Sequence, residues 1–233
     1  MDKTVKYIIG IDEVGRGPIA GPVAVCAFLA KDNYIPISPI DIKLPKLKDS
    51  KKLSKKQREI WFNFLKKQKE EGFCNYVVSF VSSENIDKFG INKCIQKALN
   101  ESLEKVISQK INFADSSDTL AENSLSINVD SYSLLKKEFI LSLHIFLDGG
   151  LHAEAEYINQ ETIIKGDELH PIISMASIMA KVSRDRIMTN YAKEYPEYGF
   201  ENHSGYGTKA HYDAVKKHGQ TLIHRKSYIH SNI

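Results

Sequence analysis

Two adjacent carboxylates, Asp12 and Glu13, follow the apolar run of residues 7–11 and lead at once into Gly15-Arg16-Gly17-Pro18. Buried strands end in turns, but seldom in two bare acids and a basic, glycine-flanked loop. Acids so placed hold hard cations, and glycines let backbone N–H groups come close to a ligand. The pairing points to a divalent-metal site facing a phosphate-bearing substrate.

Two further acids have similar settings. Asp148 follows the apolar residues 143–147 and precedes Gly149-Gly150; Asp167 lies in Lys165-Gly166-Asp167-Glu168, just ahead of a long helical pattern. Each has a purely structural reading: Asp-Gly is a good turn former, and an acid in a first helical turn suits the helix dipole. Taken together the acids say more. Two like charges about 4 Å apart repel by roughly 4 kcal/mol at an effective dielectric of 20. If the strands before Asp12 and Asp148 are parallel neighbours, both carboxylates emerge at the same sheet edge, where open α/β sheets place their sites. Such a convergence calls for cations, and oxygen ligands without histidine or cysteine favour Mg²⁺ or Mn²⁺ over zinc. Two such ions suit in-line attack of water on a phosphodiester.

Candidate substrate contacts are basic or aromatic. Lysines crowd residues 43–56 against a single acid, Asp49, either as a solvated loop or as a patch for a polyanion. Lys181, Arg184 and Arg186 are either a solvated helix face with internal ion pairs, for instance to Asp185, or phosphate contacts. In the tail of residues 195–228, Tyr195, Tyr198 and Phe200 suit packing of a loop onto the core. Tyr206, set between Gly205 and Gly207, is the candidate for stacking on a sugar or base.

The elements that must position these residues follow from periodicity. Residues 7–11 and 22–29 predict an antiparallel strand pair, and residues 73–81 a third strand. Ser54 with Gln57 forms a capping box for a helix that Gly72 ends. Ile91, Ile95, Ala98, Leu99, Leu103 and Val106 fall on one stripe of a helix over residues 91–107. Residues 109–134, rich in Ser, Asn and Asp, predict a flexible insertion. Strands are expected at 143–147 and 158–165, and helices at 170–191, with Pro171 in the first turn, and at 208–217. The result is an α/β layer fold with a mixed sheet.

At 233 residues, one domain is expected over 1–233. Cys26, Cys74 and Cys94 are far apart in apolar segments without a C-x-x-C pair, which predicts free buried thiols and a reducing cytoplasm. The N-terminus lacks a signal-peptide pattern, and the apolar residues 19–30 are too short to span a bilayer, so no membrane partner is expected.

Several segments, in one order, resemble the ribonuclease HII family. They are Asp12-Glu13-Val14-Gly15-Arg16-Gly17-Pro18 with Ala20-Gly21-Pro22-Val23; Asp49-Ser50-Lys51-Lys52-Leu53-Ser54; Lys165-Gly166-Asp167; Ala176-Ser177-Ile178-Met179-Ala180-Lys181-Val182-Ser183-Arg184-Asp185; and the tail from Tyr195 through His203-Ser204-Gly205-Tyr206-Gly207-Thr208 to His224-Arg225-Lys226-Ser227-Tyr228. The resemblance implies a ribonuclease H-like fold, a mixed central sheet flanked by helices with a C-terminal helical segment. It implies a metal-dependent endoribonuclease whose four metal-binding catalytic acids are Asp12, Glu13, Asp148 and Asp167, with two Mg²⁺ or Mn²⁺ ions. Its partners would be RNA–DNA hybrid and ribonucleotide-containing duplex DNA, cut on the 5′ side of the ribonucleotide to leave 3′-hydroxyl and 5′-phosphate ends, by a monomer, in ribonucleotide removal. Gly15, Arg16 and Gly17 would read the 2′-hydroxyl, the group that distinguishes RNA from DNA. Tyr206 would stack on the neighbouring deoxyribose, and Lys51, Lys181 and Arg184 complete the expected contacts. Three features depart from the family: Lys48 replaces a usual asparagine, residues 109–134 are longer than the usual connection before the third acid, and Ser204 replaces a usual lysine, which predicts a weaker phosphate contact. The alternative is a non-catalytic hybrid-binding protein of the same fold, which would gain nothing from repulsive carboxylates near phosphates.

Overall fold

The second strand decides the architecture. Every residue of β2 (Val23–Lys31) except Lys31 is buried, so both of its faces are covered. Side chains alternate across a strand. Val23, Val25, Ala27 and Leu29 pack with Leu99, Leu103, Val106 and Ile107 of one helix, α3 (Ile91–Ser117). Cys26, Phe28 and Ala30 pack with Met175, Ala176 and Met179 of another, α6 (Pro171–Glu194), and with Trp61, Phe64 and Leu65 of α1 (Lys55–Glu70). The molecule is thus a helix–sheet–helix sandwich, described here from a computed structural model over residues 5–36, 43–117 and 129–229.

The five-stranded sheet has the order β3-β2-β1-β4-β5, adding β1 (Tyr7–Val14), β3 (Cys74–Val81), β4 (Leu143–Asp148) and β5 (Gln160–Ile163). The first three strands form an antiparallel meander, and β4 and β5 join in parallel. It is the mixed α/β architecture that the periodicity predicted and the resemblance implied. The capping box at Ser54 is present, and Pro171 opens α6. All three cysteines are free and buried. No described helix is long and apolar enough to cross a membrane. α6 crosses directly under β1 at Gly10, where a Cβ would lie 2.3 Å from the Ile172 carbonyl oxygen. Only glycine permits that approach.

Three expectations need correction. β1 does not stop at Ile11: it continues to Val14, so Asp12 and Glu13 are strand residues paired with Cys26 and Val25. The expected flexible insertion at 109–134 is helical at both margins, because α3 runs to Ser117 and α4 (Val129–Leu141) begins before it ends; residues 118–128 lie outside the described residues. The physical reason is that α3's buried stripe continues through Ile107 and Ile111. A short helix, α2 (Ser83–Phe89), capped by Ser82 and anchored by buried Ile86, was not anticipated.

Beyond the sheet, a smaller cluster of Ala20, Met188, Tyr198, Phe200, Val215 and Ile223 ties the C-terminal half of α6 to α7 (Phe200–His203) and α8 (Lys209–His218).

Candidate active site

The parallel register of β1 and β4 sets Ile11 beside Leu147, so Asp12 and Asp148 are the next residues along at the same sheet margin. One carboxylate oxygen from each of Asp12, Glu13 and Asp148 lies within 4.8 Å of the others. Asp167 enters on α5 (Gly166–Leu169), the short turn between β5 and α6. Its backbone N–H donates to Asp148 Oδ1 at 3.3 Å, and its carbonyl accepts from Ser174 Oγ at 2.7 Å. The four acids expected from sequence therefore meet, three in one tight group and Asp167 against its side.

Their ionisation is strained. Burial pushes Asp12 well above the usual carboxylate range, opposed by its hydrogen bond with Ser177 and reinforced by Glu13, Asp148 and Asp167. Glu13 is raised by burial and then by Asp148. Asp167 is raised by burial and by Asp148 and Asp49, with Lys51 acting against them. Like charges in a desolvated site disfavour each other's ionised forms. A divalent cation reverses that balance, and an all-oxygen donor set fits Mg²⁺ or Mn²⁺.

Cations stand at the rim. Arg16 Nη1 is 3.5 Å from Glu13 Oε1, and its Nη2 donates to Asn92 Oδ1 at 2.5 Å. Lys51 Nζ lies 3.5 Å from Asp167 Oδ2 and is largely exposed. Screened pairs of this kind are weak and leave both side chains free to move to another anion. Ser50 and Ser177 share a 2.8 Å hydroxyl contact beneath Asp12. The sequence reading gave no site role to either serine or to Asn92; Ser50 and Ser177 fall within the family-like segments, and nothing singled out Asn92.

Gly15 turns with φ at +96°, and a Cβ there would lie 2.3 Å from Arg184 Nε. Gly17 faces Tyr206, whose ring carbon Cε1 would lie 3.9 Å from an added Cβ. The glycine loop and Tyr206 are thereby side by side. Tyr206 also borders a cleft of about 260 Å³ with Lys55, Arg58, Lys181, Asp185 and Ser204. A larger cavity of about 970 Å³ opens near Tyr7, Leu29 and Phe73, where β1 begins and away from the acids.

The basic residues of α6 divide. Lys181 forms the internal pair with Asp185 at 2.7 Å while bordering the cleft. Arg184 requires correction as a phosphate contact. It is wholly buried, and its guanidinium donates to the Pro22, Ser204 and Ala20 carbonyls at 2.8, 2.9 and 3.2 Å. Burial and neighbouring Arg225 lower it to about 10. With its donors committed to backbone, Arg184 supports the loop from below. Ser204, at the family's lysine position, donates its hydroxyl to Asp185 Oδ1 at 3.0 Å.

A mixed α/β sheet with acids converging from its first and fourth strands is the arrangement expected of a divalent-metal-dependent nuclease. The sequence matches Ribonuclease HII over residues 9–126 and 105–231. It is 39% identical to the Ribonuclease HII of Endomicrobium trichonymphae, over 95% of this chain and 84% of that protein. Among solved structures, the ribonuclease HII in the PCNA:RNase HII complex from Archaeoglobus fulgidus is similar, with a TM-score of 0.60, 23% identity and 97% of each chain covered. A Bst-RNase HIII in complex with Mn²⁺ is similar in fold, with a TM-score of 0.57, 16% identity, and 94% of this chain and 64% of that one covered. The chain belongs to the ribonuclease HII family. It is an endoribonuclease of the ribonuclease H type, dependent on divalent metal and acting on RNA–DNA hybrids.

Proposed function

We propose that this chain cuts the 5′ side of a ribonucleotide, single within duplex DNA or part of a hybrid strand, leaving a 3′-hydroxyl and a 5′-phosphate. The observation that carries the reading is the convergence of Asp12, Glu13 and Asp148 within 4.8 Å, with the Gly15–Gly17 loop close by and Tyr206 against it. Asp12, Glu13, Asp148 and Asp167 hold two divalent ions, and Mn²⁺ in the ribonuclease HIII relative supports that ion as well as Mg²⁺. When bound, the ions polarise the attacking water and stabilise the leaving oxygen. Everything else falls to the chain's own groups. Gly15 and Gly17 offer backbone close to the ribose 2′-hydroxyl. Arg16 exchanges its weak pairing with Glu13 for the adjacent phosphate. Lys51 does the same from Asp167, and Lys181 approaches phosphate across the cleft. Tyr206 stacks on the deoxyribose that follows, so a ribonucleotide–deoxyribonucleotide junction fits best. Excision of isolated ribonucleotides from DNA is the corresponding cellular role.

The test is cleavage of a labelled duplex carrying one internal ribonucleotide, beside an all-DNA duplex and a continuous hybrid, with Mg²⁺, Mn²⁺ or EDTA. The expected result is a metal-dependent cut on the 5′ side of the ribonucleotide and none in all-DNA. Cleavage of the continuous hybrid alone overturns the junction reading. Binding of both substrates with no cleavage in either metal favours the non-catalytic alternative.

A further inference from the structure

Three histidines surround the Tyr206 turn, and their hydrogen bonds fix the proton on each ring. His211 Nδ1 faces the Tyr206 carbonyl at 2.9 Å, and a carbonyl only accepts, so Nδ1 carries the proton and Nε2 is a lone pair. That lone pair lies 3.1 Å from His224 Nε2, which must then carry its own proton. His224 Nδ1 in turn accepts from the Thr221 backbone N–H at 2.9 Å, which agrees with this assignment. His203 completes the set: Nε2 faces the Tyr198 carbonyl at 2.9 Å and donates, while Nδ1 accepts from the Gly205 N–H at 3.3 Å. The chain from Thr221 through His224 and His211 to Tyr206 has one donor and one acceptor at each link. An added proton on His211 would set its Nε2–H against the His224 Nε2–H, and one on His224 Nδ1 would face the Thr221 N–H with the Thr221 hydroxyl, also at 2.9 Å, as the acceptor beside it.

The same segment grips the glycine loop. Arg225, wholly buried, donates to the carbonyls of Gly15 at 2.7 Å, Arg16 at 3.1 Å and Gly21 at 2.9 and 3.0 Å. The Gly205 carbonyl accepts from Ile19 and Ala20 N–H at 2.9 and 3.2 Å. His224 thus orients His211, which holds the Tyr206 carbonyl, and the next residue, Arg225, holds the glycine loop through the Gly15 and Arg16 carbonyls.

We propose that His211, oriented by His224, is the positioning residue that fixes Tyr206 beside the Gly15–Gly17 loop and thereby sets the preference for an isolated ribonucleotide over a continuous hybrid. This rests on the reading of Tyr206 as a substrate contact given above. Both rings are almost completely buried, and burial together with neighbouring histidines lowers each to about 4, so the neutral pair persists at working pH. The titratable and charged groups facing it are His203, stacked on His211 at 4.5 Å, Tyr198, whose hydroxyl is committed to the Gly219 carbonyl, His218 on the far side of Tyr198, and Arg225 next in sequence.

Two substitutions separate the links. His211→Asn retains an amide N–H near the Nδ1 position for the Tyr206 carbonyl and drops the contact to His224. His211→Gln reaches His224 but not Tyr206. For His211→Gln, the ratio of kcat/KM on the single-ribonucleotide duplex to that on the continuous hybrid falls about ten-fold, the scale of one lost charge-free hydrogen bond plus displacement of a contact. His211→Asn recovers most of that ratio. Adding Tyr206→Ala to His211→Gln lowers the ratio little further, because the two act through one contact. A parallel loss on both substrates, or a full additional loss from Tyr206→Ala, overturns the proposal. If Tyr206→Ala alone leaves the ratio unchanged, it is the substrate-contact reading of Tyr206 that fails. Should the variants not fold, nitrogen NMR of the wild-type rings at neutral pH decides: protons on His211 Nδ1 and His224 Nε2 are expected, and the opposite tautomers or a charged ring overturn it.

Discussion

Two buried polar clusters lie near the same margin of the sheet and are built on opposite terms. In the acid cluster, Asp12, Glu13 and Asp148 present acceptors to one another, and burial and mutual repulsion raise Asp12 and Glu13. In the clamp formed by Arg184, Arg225, His211 and His224, each donor meets an acceptor, chiefly a backbone carbonyl. Full ionisation of the first is disfavoured, and a cation would relieve it; the second is complete within the chain. Burial of charge alone therefore does not mark chemistry. What marks it is burial with donors or acceptors left facing their own kind.

Removing one acid breaks the comparison on the first side. Asp12→Asn or Asp148→Asn is expected to reduce cleavage by about a thousand-fold or more, since each removes charge from the ion-binding group. Asp12→Asn should also raise the stability of the protein in EDTA, by about 1 to 3 kcal/mol, because a repelled buried carboxylate is gone. Urea unfolding and single-turnover cleavage measure the two. Wild-type turnover would defeat the metal-ligand assignment, and a loss of stability would show that Asp12 is a satisfied structural acid.

On the second side, substitution should have the reverse effect. Arg225→Met leaves the Gly15, Arg16 and Gly21 carbonyls without their buried donor. The expected loss is about 3 to 5 kcal/mol in urea unfolding, with cleavage falling as the glycine loop loosens. A loss below about 1 kcal/mol would mean that water replaces the guanidinium and that the clamp is less closed than its geometry implies.

How far the sequence disclosed these clusters follows from the range of their interactions. Asp12 and Asp148 were legible because each directly follows an apolar run, although β1 continues past Asp12 to Val14 while β4 ends at Asp148. Tyr206 stood out between two glycines. Arg184 was misread since its partners, Pro22 and Ala20, are 162 and 164 residues away, and no helical spacing tells a buried arginine from a solvated one. His211 carried no signal and His224 stood only as part of the family-like tail; their pairing is a fact of tertiary packing. The margins of the insertion were misjudged because Ser, Asn and Asp dominate its composition while the α3 stripe continues through Ile111. Local patterns gave the main strands, the long helices α1, α3 and α6 and the acids, but not α2 or α4.

The clusters also differ in how stability follows pH, and this is the subtlest difference because the two slopes oppose each other. Asp12, raised above its usual 3.8, binds more protons folded than unfolded over the window above that value. Without metal its contribution to stability therefore falls as pH rises through that window. His211 and His224, lowered from 6.5 to about 4, bind more protons unfolded over the interval between. Their contribution rises from about pH 4 to 6.5 and is lost as pH falls through it. One proton per site corresponds to about 1.4 kcal/mol per pH unit, so the net slope in EDTA should be a small remainder of larger parts. Asp12→Asn should steepen the rise between pH 4 and 6.5, while saturating Mg²⁺ should do the same in the wild type by holding the acids ionised. Unfolding free energies across that range, with and without metal, check both. A wild-type slope that Mg²⁺ leaves unchanged would mean that the acids are already compensated within the fold, most directly by Arg16 on Glu13 and Lys51 on Asp167, and that those rim cations are firmer partners than their 3.5 Å separations imply.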